Sequence, residues 1–461
     1  MQEQETKQAK SCLKINIARP YIRRFPLSFI FLFLLFTVSF VNNFKMSSKE
    51  KLDSFSMLKD STLPIVAVNT DGFKPIKSKE DYRRCDAYFI ETFTEAMRLR
   101  EEIVSKKTEA REKIGSEKDE HRARIRGRGN STWNTFDTNK RSYLLKLDKE
   151  KELFALPSAR KWILQANVTD KTSLRNAYAY HLGREVFTKA GWAPRTQFVH
   201  LFVNGKYLGL YLLMEKAEIA PNRIPLNPDP ADESFLAEVN SRLNRAWNFR
   251  SDEGVAFSIR EKENAKQDYY RKAEETLQKF ENVLFSENFT DENTGYRAYI
   301  DMESFVDWYI VNEYTKNHDA RFQDSCFLTY SSADKKIRMG PIWDFDIACG
   351  NNKDECANPE GLFIQSRHWF ERLWQDPYFR EKVAERWREC RPQIEESFGW
   401  IEDEAKKLEN DANLDDKIWQ RFGYRQWPNA PGYKERKTYR AEVEYMEGWL
   451  KKRAAWLDSE W

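Results

Sequence analysis

The chain has little of what several protein classes require. Its 461 residues include only 17 Gly and 16 Pro, which excludes a collagen-like or low-complexity chain. The six cysteines are scattered and form no CxxC pair, so the sequence indicates neither a disulfide scaffold nor a cysteine-based zinc site. Cys349 and Cys356 are the nearest pair that a single bridge could join. With 41% hydrophobic and 14% aromatic residues, the chain is expected to fold around a substantial core.

A strong charge of one sign is also missing. Lys and Arg total 76 against 73 Asp and Glu, a formal net charge of +3. Residues 1–46 contain seven of the basic and two of the acidic side chains, which leaves 69 basic and 71 acidic residues, net −2, from Ser47 onward. This balanced composition does not indicate a nucleic-acid partner, which would require an excess of basic residues.

Only one long apolar run occurs, and it lies near the N-terminus. Residues 25–41 read FPLSFIFLFLLFTVSFV and follow Arg23 and Arg24. As a helix they would span ~25 Å, against ~30 Å for a hydrocarbon core, so a cleaved signal peptide and an uncleaved membrane anchor both remain open. The flanking charges predict a cytoplasmic basic arm, residues 1–24, and an extracytoplasmic body. Met46 is an alternative start that would leave the run outside the protein.

The rest of the chain shows no internal repeat and predicts one large domain, residues 61–461, after a polar linker at 47–60. A strand and a turn are predicted at its start, and helical spacing of apolar residues between 78 and 118 predicts one or two exposed helices. Residues 122–218 predict three strands, a helix and a hairpin turning at Asn204-Gly205.

The second half of this domain is predicted to be mainly helical. Residues 219–298 are polar and turn-rich with some helix, and 301–314 predict an amphipathic helix. A short hairpin follows, from FLTYSS to KIRMGPIWDFD. The last hundred residues contain nine of the 15 tryptophans and predict helices that bury much aromatic surface.

Five motifs occur in order within residues 122–351. They are RGRGNSTW (126–133), the run from Lys161 to Asn176, VNGKYLGLYLLMEK (203–216), NHDARFQDSCFLTY (317–330) and MGPIWDFDIACGN (339–351). Together they resemble the CotH family of spore-coat-protein-H-like atypical protein kinases. The resemblance implies an α+β, two-lobed kinase-like fold. Its small antiparallel-sheet lobe with one helix would cover about 61–218, and its larger helical lobe about 219–461.

Phosphoryl transfer needs cationic groups for a triphosphate, carboxylates for a metal ion and an acceptor for the substrate hydroxyl. Arg126 and Arg128 can bind phosphate through their guanidinium groups, and the glycines beside them let the backbone approach an anion. A bare GxG more often marks a turn, but the resemblance favours an ATP-binding site that includes Asn130. No Walker motif occurs.

Three more residues are predicted around the nucleotide. Lys146 lies among apolar neighbours on a predicted strand, and Arg175 opens a predicted helix, where the dipole favours anions. An ordinary salt bridge is an equally simple role for each. Glu185 is a candidate partner for Lys146, as the helix glutamate is in protein kinases. Glu215 occupies the position of a hinge whose backbone would contact the base.

The acidic candidates follow two predicted strand or helix ends. The segment from His318 to Asp324 resembles a shifted kinase catalytic loop, so Asp319 would orient the acceptor hydroxyl and Asp324 would bind metal. An Asp at 324 departs from the Asn of that pattern. Asp344 resembles the metal-binding Asp of a DFG-type motif, and Asp346 is a candidate either for a second ligand or for an acceptor that holds the ligands from behind. Two carboxylates in the apolar run IWDFDIA are costly to bury unpaired, which favours a bound cation over a surface turn.

The sequence therefore predicts an exported or membrane-anchored kinase that uses ATP and Mg²⁺ or Mn²⁺ to phosphorylate Ser or Thr of a protein. A non-catalytic surface or coat assembly protein of the same fold, binding nucleotide at most structurally, is the alternative. A glycan hydrolase using paired carboxylates such as Asp319 and Asp344 has no other support in the sequence.

Overall fold

Seven strands at the start of the domain close into a barrel. The computed structural model describes residues 57–97, 121–129, 133 and 139–461. The barrel strands are β1 (Ile65–Thr70), β2 (Arg83–Ile90), β3 (His121–Arg128), β4 (Ser142–Leu153), β5 (Leu156–Gln165), β6 (Thr196–Val203) and β7 (Lys206–Glu215). Their order is β1-β2-β3-β4-β5-β7-β6, and β1 closes the barrel by pairing parallel with β6.

The barrel interior is apolar. Alternate residues of its strands point inward, as Ile125, Leu145 and Trp162 do, and all three are fully buried. The β6–β7 hairpin turns at Asn204 and Gly205, which both have positive φ, 53° and 74°, as a two-residue primed turn requires. The predicted order of three strands, a helix and a hairpin is confirmed.

The described part of the chain also contains a second sheet and several helices. The sheet contains β8 (Phe235–Val239), β9 (Trp247–Arg250), β10 (Ala256–Ile259), β11 (Cys326–Ser331) and β12 (Lys336–Met339), in the order β12-β11-β8-β10-β9. The helices are α1 (Arg175–Glu185), α2 (Gln267–Leu284), α3 (Met302–Thr315), α4 (Trp369–Leu373), α5 (Pro377–Trp419) and α6 (Tyr439–Glu460). Helix α1 leaves the barrel and joins the core that the later helices form.

The α+β class is confirmed, but several details differ from the prediction. The first sheet is a closed barrel with a parallel strand pair, where a small antiparallel sheet was predicted, and the two-lobed layout stays a prediction. Within 78–118, Arg83–Ile90 is a strand, because Cys85 and Ala87 face the barrel core while Tyr88 and Ile90 enter a second apolar cluster. Residues 98–118 lie outside the described residues.

Three further expectations need correction. Helix α3 is not amphipathic, since every residue from Ser304 to Thr315 is buried. Strands β8 to β10 were missed because they are only four or five residues long, too short for a clear periodicity. Cys349 and Cys356 are buried free thiols, so the bridge that their spacing would permit is not formed.

The predicted basic arm (1–24) and apolar run (25–41) lie outside the described residues. Among the helices that the structure describes, none is both long and apolar enough to cross a membrane.

Candidate active site

Three carboxylates converge at one place between the barrel and the second sheet. Asp319 lies in a short 3-10 turn just after α3, and its N–H donates to the Asn317 side chain at 3.2 Å. Asp344 and Asp346 follow strand β12. One carboxylate oxygen from each aspartate lies within 4.8 Å of the other two. Asp319, predicted as the acceptor of the hydroxyl proton, therefore lies beside two predicted metal ligands.

The two aspartates after β12 are held by neighbouring polar groups. Asp344 has a positive φ of 66°, a conformation that Asp tolerates better than most residues, and its carboxylate accepts the Ser325 hydroxyl at 3.1 Å. The Thr169 hydroxyl donates to the buried Asp346 carboxylate. Between them, the Phe345 N–H donates to the Asn176 side chain at 2.8 Å. These bonds fix both carboxylates before any ligand binds.

The electrostatics of this group favour a cation. Burial, followed by repulsion from Asp319, raises the pKa of Asp344 to about 6, and the Arg128 guanidinium opposes that rise. Burial and the nearby Asp344 raise the pKa of Asp346 well above its ordinary value. Three oxygen donors that repel one another when ionised suit a hard divalent ion such as Mg²⁺ or Mn²⁺. The residues present therefore fit the predicted metal.

Asp324, the other predicted metal ligand, is held differently. Its carboxylate accepts the Ser241 N–H at 3.2 Å and the Ser241 hydroxyl at 3.1 Å, and it forms an ion pair with Arg242 at 3.2 Å. It lines the same cavity as the three aspartates but does not belong to their cluster among the described residues. These contacts fit a role in the cavity wall better than the predicted role of metal ligand.

A cavity of about 270 Å³ contains these carboxylates. Leu144 and Ile163, paired across β4 and β5, contribute apolar surface from the barrel. Phe327 of β11 and Trp343 contribute apolar surface from the other side. The volume is near the lower end of the ~300–1,000 Å³ that small-molecule sites occupy.

Both predicted phosphate-binding arginines line this cavity. The Arg128 guanidinium lies over the Trp343 ring, 5.6 Å from its centroid, and donates to the Gln165 side chain at 2.8 Å. Burial lowers the pKa of Arg128, and Asp344 opposes that effect. The Arg126 guanidinium lies over the Tyr82 ring and donates to a main-chain carbonyl. Both cations are thus oriented by aromatic rings.

Local structure explains why glycine occupies positions 127 and 129 of the motif at 126–133. A Cβ on Gly127 would collide with the Trp133 ring, so this glycine makes room for tryptophan. Gly129, with a φ of 99°, adopts a conformation that favours glycine and lines the cavity. Asn130 lies outside the described residues.

The remaining predicted nucleotide contacts do not line the cavity. Arg175 is fully buried, where it forms an ion pair with Asp170 at 2.6 Å and donates to the carbonyls of Ala348 and Cys349. This network joins α1 to the segment that follows Asp346. The contacts of Arg175 are therefore those of the structural salt bridge that was the predicted alternative. In the part of the chain that the structure describes, no ion pair joins Lys146 to Glu185.

Glu215 is also turned away from the cavity. Its buried carboxylate accepts the Arg195 N–H at 2.8 Å. The next two residues, Lys216 and Ala217, line the cavity instead. The predicted hinge role of the Glu215 main chain stays a prediction.

Sequence reasoning missed several charged residues of the cavity, among them Lys216, Glu238, Arg245 and Arg260. Burial lowers the pKa of Lys216 to about 7. Glu238 of β8 forms ion pairs with Arg260 at 2.7 Å and Arg245 at 3.6 Å. Lys216 stands inside a motif that the sequence did indicate, but the other three lie on or beside short strands without any recognised pattern.

The chain matches the model of a known protein family. A family model described as CotH kinase protein matches residues 124–457, and this range includes Arg126, Arg128 and all four cavity aspartates. No curated protein matches the chain at a significant level.

Proposed function

The chain belongs to the CotH kinase protein family, and from this premise we propose that it is an ATP-dependent protein kinase. Its acceptors are Ser or Thr hydroxyls of a protein, and its metal is Mg²⁺ or Mn²⁺. The observation that carries the proposal is the convergence of Asp319, Asp344 and Asp346 in a cavity that also contains Arg126 and Arg128. Carboxylates for a metal, cations for phosphates and an acceptor for the hydroxyl proton are the groups that phosphoryl transfer requires.

Each residue has a role that follows from its surroundings. Asp344 and Asp346 would hold the divalent ion, which would neutralise charge on the phosphate oxygens. Asp319, with 28% of its side chain exposed, orients the acceptor hydroxyl and accepts its proton. His318 Nδ1 lies 3.3 Å from the Asp319 carboxylate and positions it. Arg128 and Arg126 bind the phosphate groups, whereas Lys146 and Arg175 have no part in this mechanism.

The apolar walls support a site for the base. Leu144 and Ile163 offer apolar surface from the barrel, and Lys216 and Ala217 line the same cavity. This arrangement, with a sheet on one side and the catalytic loop on the other, supports the kinase-like two-lobed layout.

We also propose that the protein acts outside the cytoplasm. The basic arm at 1–24 followed by the apolar run at 25–41 supports export, with either cleavage or anchoring. Membership of a family related to spore-coat proteins is in keeping with an extracellular or coat location.

Transfer of labelled phosphate tests the function. The purified full chain, incubated with labelled ATP, Mg²⁺ or Mn²⁺ and a generic protein acceptor, should label that acceptor. Asp319→Asn and Asp344→Asn should abolish transfer, because each removes a carboxylate that the mechanism needs. Asp403→Asn, at an exposed position of α5, is the matched control and should keep full activity. Unchanged transfer in the Asp319 and Asp344 variants would refute the proposal.

One observation favours a non-catalytic alternative. Asp324 takes the position of the metal ligand in the predicted catalytic loop. Its carboxylate, however, forms an ion pair with Arg242 and accepts a hydrogen bond from Ser241. A protein that binds nucleotide only structurally would show a thermal shift with ATP, rising as RT ln(1 + [L]/Kd), without any phosphate transfer. A shift together with transfer excludes this alternative.

A further inference from the structure

Three basic side chains form a row across the outer face of the barrel. Strand register places Arg124 of β3 opposite Lys146 of β4, and Lys146 opposite Lys161 of β5. Directly paired residues project from the same face of a sheet, so the three cations are neighbours. We call Arg124, Lys146 and Lys161 the basic row. Like charges in register are destabilising, which raises the question of what neutralises them.

The outer two members of the basic row each have one carboxylate partner. Arg124 lies 3.8 Å from the exposed Asp148, and Lys161 lies 2.7 Å from Glu218. Among the described residues, no carboxylate lies within ion-pair distance of Lys146. Burial lowers the pKa of Lys146, and so do the charges of Lys161 and Arg124.

Glu218 does not belong to the basic row alone. It also lies 3.6 Å from Lys216 and 2.9 Å from Arg223. A single carboxylate is therefore shared by Lys161 and two further cations. The charges that act on Lys146 are mainly positive, and a bound anion would relieve the repulsion.

The basic row is accessible and adjoins the proposed active site. The side chains of Arg124 and Lys161 are 44% and 36% exposed. Leu144 and Ile163, two residues along from Lys146 and Lys161 on the same face, line the cavity. At ~3.3–3.4 Å per residue, the basic row begins roughly 7 Å from that lining.

We propose that the basic row binds an acidic segment of the protein acceptor. This inference depends on the proposed kinase function, since the acceptor is the macromolecule that must lie across the mouth of the cavity. Neighbouring strands are ~4.8 Å apart, so the row spans about 10 Å, a length suited to a few acidic side chains of a peptide. A nucleic-acid duplex would require a wider basic surface, and Asp148 and Glu218 border the row.

Fluorescence anisotropy without ATP tests this binding directly. The probes are two labelled peptides that contain one Ser flanked by Glu in the first and by Gln in the second. The full chain should bind the Glu peptide more tightly, and high salt should weaken that binding. Reversing a charge that contacts the peptide, as in Lys146→Glu or Arg124→Glu, should weaken it by about fivefold or more. Lys452→Glu, an exposed position on α6, changes the net charge equally and should have no effect.

The possible outcomes separate this proposal from the kinase function. Equal affinity for the two peptides, or unchanged affinity in both charge-reversal variants, would overturn the docking site. So would binding to RNA or to anionic lipid vesicles without binding to the Glu peptide. The thermal shift that ATP causes in Lys146→Glu is a second readout. If that shift is lost while the Glu peptide still binds, Lys146 acts on the nucleotide and the proposed docking site is overturned. Because no phosphate transfer is measured, an inactive kinase would leave the peptide result unaffected.

Discussion

The Arg128 guanidinium lies 5.6 Å from the centroid of the Trp343 ring, at the wall of the cavity that contains Asp344. A planar cation stacked on an indole gains cation–π attraction and loses rotational freedom. The Gln165 side chain accepts a hydrogen bond from the same guanidinium at 2.8 Å. Arg128 is therefore held in one orientation beside the carboxylates, as a phosphate ligand needs to be.

Replacing Arg128 by Lys should weaken nucleotide binding although the charge is kept. Lysine cannot stack on Trp343 or bind phosphate bidentately, so we expect an affinity about tenfold lower. Calorimetric titration with ATP and Mg²⁺ measures this change. Arg122→Lys, at the far end of strand β3 and ion-paired with Asp86, is the matched control. Equal losses in the two variants would show that the stacked geometry has no special part in binding.

Metal binding should distinguish the two kinds of cavity aspartate. Asp346→Asn removes one member of the carboxylate cluster, and Mn²⁺ affinity should fall by about tenfold or more. Asp324→Asn should cost much less, because Arg242 and Ser241 already occupy the Asp324 carboxylate. Titration with Mn²⁺ in the absence of nucleotide measures both. A larger loss in Asp324→Asn would reverse the assignment and restore Asp324 as the principal ligand.

Local patterns predicted much of the fold because they determine local structure. The turn at Asn204-Gly205 depends on two adjacent residues that tolerate positive φ. The hairpin of β11 and β12 likewise joins strands that are close in sequence. Barrel closure could not be predicted in this way. It pairs Ile65 with His200, and no sequence period specifies a contact between strands so distant in the chain.

In the candidate site too, residues with a local sequence signal were predicted, and residues placed by tertiary packing were not. Asp344 and Asp346 were predicted because two carboxylates inside an apolar run are unusual on physical grounds. Arg175 was predicted from its place at a helix start, but its network with Asp170 depends on tertiary packing. Arg260 and Glu238 were missed since a short strand gives no signal of which side chains face a cavity.

Glu281 of α2 should make the stability of the fold pH-dependent. Burial raises its pKa to about 7, and Trp369 donates its indole N–H to the carboxylate at 2.7 Å. The raised pKa means that the folded state binds the proton more tightly than the unfolded state, whose Glu pKa is ~4.3. Stability is therefore lost as the pH rises from ~4.3 to about 7, and the loss is complete above that range.

Glu281→Gln tests this relationship, because Gln can still accept the hydrogen bond from Trp369 and stays neutral. Relative to the unmodified protein, the variant should gain up to about 4 kcal/mol of unfolding free energy at pH 8 and much less at pH 5. Urea unfolding at the two pH values measures the difference. Glu371→Gln, at an exposed position of α4, should show no such dependence. An identical gain at both pH values would contradict the assignment to Glu281.

Gly209 of β7 lies where the barrel meets α5, and replacing it should disrupt a buried charge network. Asp415 of α5 is fully buried, with Lys140 at 2.8 Å and Arg421 at 2.9 Å. A Cβ on Gly209 would collide with the Asp415 carboxylate, and the residue already has a φ of 99°. Displacing one member of a buried ion pair costs ~3–5 kcal/mol, beyond the ~1–2 kcal/mol of a left-handed alanine.

Gly254→Ala separates these two contributions to the loss of stability. Gly254 has a similar φ of 87°, but nothing lies within 4 Å of its added Cβ. Urea unfolding should therefore show a loss of about 1–2 kcal/mol for Gly254→Ala and at least about 3 kcal/mol more for Gly209→Ala. Equal losses would mean that Asp415 moves aside freely. In that case the Lys140–Asp415–Arg421 network would not stabilise the packing of the barrel against α5.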